Sequence, residues 1–332
     1  MTTLTVADAR ALTEAAMIAI GHNGEEGRII ADHLIDCELR GLSYGGLPRA
    51  LSVIERVQGT KTARRPITIL QETPVSAALD GGDQVGYLVG DRATDIGIAK
   101  ARASGIAVVG AHETWYTGMF SYYLERITRA GFVGMIAGSG APLVAPHGGT
   151  EARFSTNPIA FGFPSDDAPV IWDIGTSAVM LGEMILKMRL GEQIAEGLAF
   201  DAAGAPTLEP RAALSGGAFS VWGGHKGSGL AMVVQLLGML CGQVAKPDGL
   251  RDCGFFLLVV DPALLTSAAD FKRRVAEFAG VLRATRPLDP NRPVRVPFDR
   301  SDAERARRLS EDAIEVPDEI YQALRRVCGQ AD

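Results

Sequence analysis

Between about residues 65 and 140 the chain switches repeatedly between two hydrophobic periods, and this alternation limits its architecture more than any other feature. "RRPITILQETPVSAALDGG" and "QVGYLVG" read as short strands broken by Gly and Asp turns. "GDRATDIGIAKARASG" has helical spacing and runs into the apolar strand "IAVVGA"; the helix "FSYYLERITRAG" and the strand "FVGMIAGSGAP" repeat the pattern. Strands alternating with helices require an α/β layer, because each helix must bury its apolar stripe on a sheet face.

The flanks differ in texture. Three helices precede the alternation. "TVADARALTEAAMIAIG" opens at Thr5, an N-cap residue, "EEGRIIADHLIDCELRG" stops at Gly41, and "LPRALSVIERVQ" carries Pro48 in its first turn. The stretch "APHGGTEARFSTNPIAFGFPSDDAPVIWDIGTS" is rich in turn residues. "SAVMLGEMILKMRLGE" reads as a helix, and residues 201–229 read mostly as loop. A buried helix is expected over 229–243, then a strong strand, "GFFLLVVD". The tail has a Pro-rich extended piece, "RPLDPNRPVRVPFD", and two helical stretches. The expected organisation is a helical substrate and dimerisation unit (1–70, with 285–332 returning to it) beside an α/β cofactor unit (71–284).

Composition removes several classes of function. A formal charge of −6 disfavours a nucleic-acid backbone as partner. No apolar run reaches the roughly 18 residues of a membrane span. The N-terminus mixes charges into its apolar positions and reads as helix, not as a signal peptide. Cys37, Cys241, Cys253 and Cys328 form no C-x-x-C pair and read as free thiols in a reducing cytoplasm, with no metal site. "GGDQVGYLVG", "GSGAP" and "GGHKGSG" all fail the G-x-G-x-x-G spacing of a Rossmann dinucleotide site, and no P-loop is present.

The order of motifs from about residue 5 to 325 nevertheless resembles the malate/L-lactate dehydrogenase family, whose NAD(P)-dependent oxidoreductases have a non-Rossmann fold. The matching pieces are "RG…GG…R" (40–49), "AVVGA", "AGFVG", "VAPHGG", "STNPIAFGFP", "VIWDIGTS" and "GGHKGSG". "TNPIAFG" and "GGHKGS" are most similar to the branch that reduces Δ1-piperideine-2-carboxylate and Δ1-pyrroline-2-carboxylate. The resemblance implies an α/β fold with a helical N-terminal cap, an NAD(P)H cofactor, a small carboxylate-bearing substrate and a homodimer. It implies cofactor contacts at Ser139, Thr156, Asn157, Asp173, Ile174 and Gly175, and at His225, Lys226 and Gly227. Arg153 and Lys187 are candidates for a 2′-phosphate. Arg49 lies where relatives hold a substrate carboxylate, which suits a planar guanidinium. Asp173 reads as a catalytic or cofactor-orienting carboxylate, or else as a turn aspartate.

The chain departs from its relatives where they carry catalytic histidines. The Ser-His-Gly positions hold Tyr44, Gly45 and Gly46, and the second histidine aligns with Tyr116; only a shifted reading offers His112. A ketone reduced by hydride needs a proton donor tuned near neutral pH. An iminium does not, because hydride leaves it a neutral amine, and Asp173 can balance its charge. The expectation is therefore a cyclic-imine reductase first. A 2-oxo acid/2-hydroxy acid dehydrogenase using Tyr44, Tyr116 or His112 comes second, ahead of a nucleotide-binding relative without chemistry and a structural oligomer.

Overall fold

The computed structural model describes residues 1–247 and 249–330. The chain opens with strand β1 (Thr2–Leu4) and helices α1 (Val6–Ala19), α2 (Gly24–Leu39) and α3 (Leu47–Gln58). It continues through β2 (Thr68–Thr73), β3 (Ser76–Val85), α4 (Gly86–Ser104), β4 (Ile106–Trp115), α5 (Phe120–Arg129) and β5 (Val133–Gly138). Next come β6 (Ile159–Phe163), β7 (Val170–Ile174), α6 (Leu181–Leu190), the two-residue strands β8 (Ala199–Phe200) and β9 (Ala218–Phe219) on either side of α7 (Pro210–Leu214), and α8 (Gly224–Leu240). The last elements are β10 (Phe255–Val260), α9 (Ala268–Arg283), α10 (Asp299–Glu311), β11 (Ile314–Val316) and α11 (Asp318–Val327).

The helices start where their caps allow. Thr5 Oγ1 accepts from Asp8 N–H at α1, and Asn23 with Glu26 forms a reciprocal capping box at α2. Each satisfies donors that helix geometry leaves orphaned. The C-terminal segment joins this helical unit. β11 pairs antiparallel with β1, and Ile314, Ile320 and Leu324 share one core with Met17, Ile30, Leu34, Leu47 and Val53. Burying each large aliphatic side chain contributes about 1.5–3 kcal/mol, so the chain's two ends hold one another in place.

The main sheet has the order β2-β3-β4-β10-β5-β6-β7. Only β3 and β4 are parallel, and α4 makes the crossover that a parallel pair requires. β10 inserts antiparallel between β4 and β5. Its unbroken "FFLLVV" suits a strand covered on both faces. Phe255, Leu257 and Val259 pack with Val109, Tyr123 and Leu124 on the α4/α5 side, while Phe256 packs with Ile159 and Val234 of α8 on the other.

Several sequence-based expectations are corrected. "QVGYLVG" is not a strand beyond Val85, because Gly86 starts α4. Gly86 presses so closely on the 116–119 turn that a Cβ there would lie 2.7 Å from Thr117 Cα. "GGHKG" is the first turn of α8 and not a loop, entered through Gly223 in a left-handed conformation (φ 67°). The helix expected to be buried covers only one side. Ala231, Val234 and Gly238 are buried on the sheet, whereas Met232, Val233, Leu236 and Leu240 are 50–73% exposed. An all-round apolar helix satisfies only its inner face within one chain. Strand β1 and helix α9 were not anticipated.

Candidate active site

A cavity of about 530 Å³ opens between the helical unit and the sheet. Four segments wall it: the 42–49 turn into α3, the 116–121 turn into α5, the ends of β5 and β7, and the C-terminal stretch 295–301.

The first wall is shaped by missing side chains. A tight turn over Ser43–Gly45 leads into α3 at Gly46, and Leu47 N–H donates to Glu38 Oε1 at 2.7 Å. A Cβ on Gly46 would stand 2.2 Å from that oxygen and 2.4 Å from Glu38 Cγ. We therefore expect Gly46→Ala to destabilise the fold by about 1–3 kcal/mol through overpacking. Denaturant titration checks this, and an unchanged midpoint would show that Glu38 swings away freely. Burial pushes the Glu38 carboxyl up to about 7, against the opposing Leu47 N–H and the Arg308 charge. Arg49, one turn into α3, lays its guanidinium over the Tyr116 ring at 4.4 Å. Its Nη1 is buried with no hydrogen-bond partner among the described residues. Gly182 of α6 packs against it so tightly that a Cβ would lie 2.5 Å from Arg49 Nη2. A buried cationic donor without an acceptor is costly, and here it borders the cavity.

The second wall is the N-terminus of α5. No side chain within the helix caps it; two side chains from elsewhere do. His33 Nε2 of α2 accepts from Met119 N–H at 2.9 Å, and Asp173 Oδ2 of β7 accepts from Ser121 N–H at 2.8 Å. His33 lies among the rings of Tyr87, Tyr122 and Tyr123, and burial lowers it to about 3, so its imidazole stays neutral. Burial raises Asp173 to about 6, opposed by the N–H groups of Ser121 and Phe120 and the Ser121 hydroxyl. A carboxyl held at that value changes charge near physiological pH. Burial pushes Tyr44 up to about 12, reinforced by Cys37, Asp173 and Glu183 and opposed by Arg49. Tyr44 therefore keeps its proton, as a hydrogen-bond donor.

The sequence-derived candidates divide cleanly. Arg49, Tyr44, Tyr116 and Asp173 line the one cavity, as do Ser139, Thr156, Ile174 and Gly175. His112 does not. It sits on β4 opposite Asp80, with its ring against Gly242 beyond α8. No imidazole lines the cavity among the described residues, and His33 stands just behind the wall, where a Cβ on Gly118 would meet its Nε2 at 2.4 Å. Asn157 is also behind the wall. Fully buried and left-handed (φ 36°), it donates to Ala231 O and Gln235 Oε1 and so ties the 156–158 loop to α8.

His225, Lys226 and Gly227 form the first turn of α8, joined to the cavity rim through Trp222 N–H, which donates to Thr176 O at 2.8 Å. Gly227 is obligatory, because a Cβ would lie 1.6 Å from Trp222 O. This turn has no side-chain cap, and Lys226 is exposed beside it. Free N–H groups with a nearby ammonium suit a phosphate, so the donor set fits a nucleotide cofactor. Arg153 is paired with Glu151 and Lys187 with Glu192, and neither lines the cavity. Sequence reasoning missed Cys37, Tyr87, Trp172 and the 295–301 stretch as cavity residues, and it missed His33 as a cap. The tail was expected to return to the helical unit, but nothing in its Pro-rich signal placed it on the cavity wall.

Residues 4–325 match the family model described as malate/L-lactate dehydrogenase. The chain is 34% identical over 264 residues to the L-sulfolactate dehydrogenase of Methanothermobacter thermautotrophicus, covering 76% of this chain and 77% of that protein. It is 29% identical to the malate/(S)-sulfolactate dehydrogenase of Methanothermus fervidus, covering 97% and 96%. Among solved structures, Δ1-piperideine-2-carboxylate reductase from Pseudomonas syringae superposes with a TM-score of 0.86 at 25% identity, covering 98% of this chain and 100% of that one.

Proposed function

The chain belongs to the malate/L-lactate dehydrogenase family, and from that premise we propose that it is an NAD(P)-dependent oxidoreductase interconverting a small 2-hydroxy acid and its 2-oxo acid. The observation that carries the reading is the pairing, in one cavity, of a buried unpartnered guanidinium with a carboxyl poised near neutrality. Arg49 binds the substrate carboxylate through two parallel N–H donors, and the Tyr116 ring beneath it limits its rotation. Asp173 holds the proton that the nascent alkoxide takes up, or removes it from the hydroxyl in the reverse direction. Tyr44 donates a hydrogen bond to the same oxygen. When bound, the cofactor would be held at its phosphates by the first turn of α8 and Lys226, and Thr156, Ile174 and Gly175 would contact it in the cavity. The bound nicotinamide supplies or accepts the hydride.

This order of substrates revises the expectation of an imine. A carboxyl raised to about 6 performs the task that the missing imidazoles left open, and the relatives named above act mainly on hydroxy acids. Reduction of a cyclic imine carboxylate remains the second reading, favoured by the imidazole-free cavity and by the reductase-like fold. Turnover assays with malate, sulfolactate, lactate, piperideine-2-carboxylate and pyrroline-2-carboxylate, each with NADH and NADPH, decide between them. We expect turnover of at least one hydroxy acid; activity confined to the imines would overturn the first reading. The exposed apolar face of α8 supports a homodimer, and the four free thiols support a reducing, cytoplasmic setting.

A further inference from the structure

The stretch 295–301 is held as a rigid strap along the cavity. Asp299 accepts two hydrogen bonds from Arg283, at 2.7 and 3.0 Å, and one from Val296 N–H at 3.0 Å. Phe298, in a left-handed conformation (φ 83°), lies 4.5 Å beneath the buried Arg40 guanidinium. Arg40 is fixed in turn by Asp36 and Glu125, each at 2.7 Å. A non-glycine residue keeps such a backbone only where its surroundings over-determine it.

The arginines that follow the strap are neutralised: Arg305 pairs with Asp36, Arg307 with Glu304 and Glu311, and Arg308 with Glu304. Arg295 and Arg300 are not. Both line the cavity, and neither forms an ion pair among the described residues. Asp173 is the one acid among the described lining residues, against the three cations Arg49, Arg295 and Arg300. One carboxylate on Arg49 leaves the strap's two guanidinium groups without an ion-pair partner among the described residues: Arg295 feels only the charge of Asp299, which Arg283 already binds.

From this juxtaposition we infer that Arg295 and Arg300 form a second anion subsite, which selects substrates carrying a further acidic group beyond the carboxylate held by Arg49. The inference rests on the proposed hydroxy-acid reading and narrows it to dianions, such as 2-hydroxy dicarboxylates or their sulfonate counterparts. The planar fork of arginine suits either oxyanion. Both residues are exposed at the cavity mouth, so the preference weakens as salt screens them.

The test compares wild type with Arg295→Gln, Arg300→Gln and the double variant, using malate as the dianionic probe and lactate as the monoanionic one. Wild type should favour malate in kcat/KM, and the double variant should lose about 10-fold or more on malate while changing lactate by less than about threefold. NADH and NADPH affinities from fluorescence titration should stay unchanged. Equal losses on both acids, or no loss on either, would overturn the subsite. A selective rise in nucleotide Kd would assign the arginines to a cofactor phosphate and equally overturn it. Ligand-induced thermal shifts make the test independent of turnover. Malate should stabilise wild type more than lactate does, and the double variant should lose that excess. If wild type oxidises no hydroxy acid yet keeps this arginine-dependent shift, the proposed chemistry fails while the subsite stands.

Discussion

Arg49→Ala should leave the protein folded and able to bind nicotinamide nucleotide, yet raise KM for its acid substrate by about 10²–10³-fold. Removing one partner of an enclosed, hydrogen-bonded charge pair costs about 2–5 kcal/mol. Arg49 is set up for such a pair, because its Nη1 has no acceptor of its own and its plane is braced by Tyr116 and by the close passage of Gly182. Among the described residues the side chain makes no ion pair that holds the fold together, so the loss should fall on substrate affinity and not on the melting temperature. Arg49→Lys should recover only part of it, since an ammonium is a point charge that cannot meet two carboxylate oxygens in one plane. Steady-state kinetics on both variants, beside an unchanged nucleotide titration, checks this. A wild-type KM in Arg49→Ala would remove Arg49 from the substrate site.

Asp173→Asn should lower kcat by about 10²–10⁴-fold, the range for a positioned acid–base group. The amide keeps an oxygen to accept from Ser121 N–H, so α5 remains capped and chemistry is separated from folding. The pH profile carries a sign. With Asp173 at about 6 and protonated as the donor, reduction of an oxo acid slows as pH rises through about 6, and oxidation of the hydroxy acid quickens. An iminium substrate demands the opposite, because the ionised carboxylate is then the useful form and reduction quickens through the same pH. Stability follows separately. The ordinary value of 3.8 applies to the unfolded chain, so the native state retains the proton between about 4 and 6 and loses stability as pH rises across that window. Asp173→Asn should flatten that slope. An unaltered kcat and pH profile in the variant would end the assignment.

Much of the fold was legible because it rests on local rules. Thr5, Gly41, Pro48 and the apolar run of β10 act within a few residues, and each element begins or ends near where they indicate. The failures were non-local. Gly86 read as part of a strand and the "GGHKG" glycines as loop, but here they permit close packing: Gly86 on Thr117, and Gly227 under the Trp222 carbonyl. The apolar helix α8 read as buried because residue type records hydrophobicity without recording which face has a neighbour.

The sequence alone determined the alternation that requires a sheet layered with helices, the helix starts set by capping chemistry, and the family resemblance carried by motif order. It also showed that imidazole had gone from its usual positions. Tertiary structure decided which ionisable groups line the cavity instead. Burial raises the Asp173 carboxyl to about 6 because folding removes it from water, and it does so against the N–H groups at the N-terminus of a helix that starts 53 residues earlier in the chain. Arg295 and Arg300 reach the cavity because the C-terminal segment folds back on the N-terminal helices, through strand pairing between residues 2–4 and 314–316, the Phe298 ring against Arg40, and the Arg305–Asp36 pair. Desolvation and the meeting of distant segments depend on the closed chain, so no window of sequence contains them.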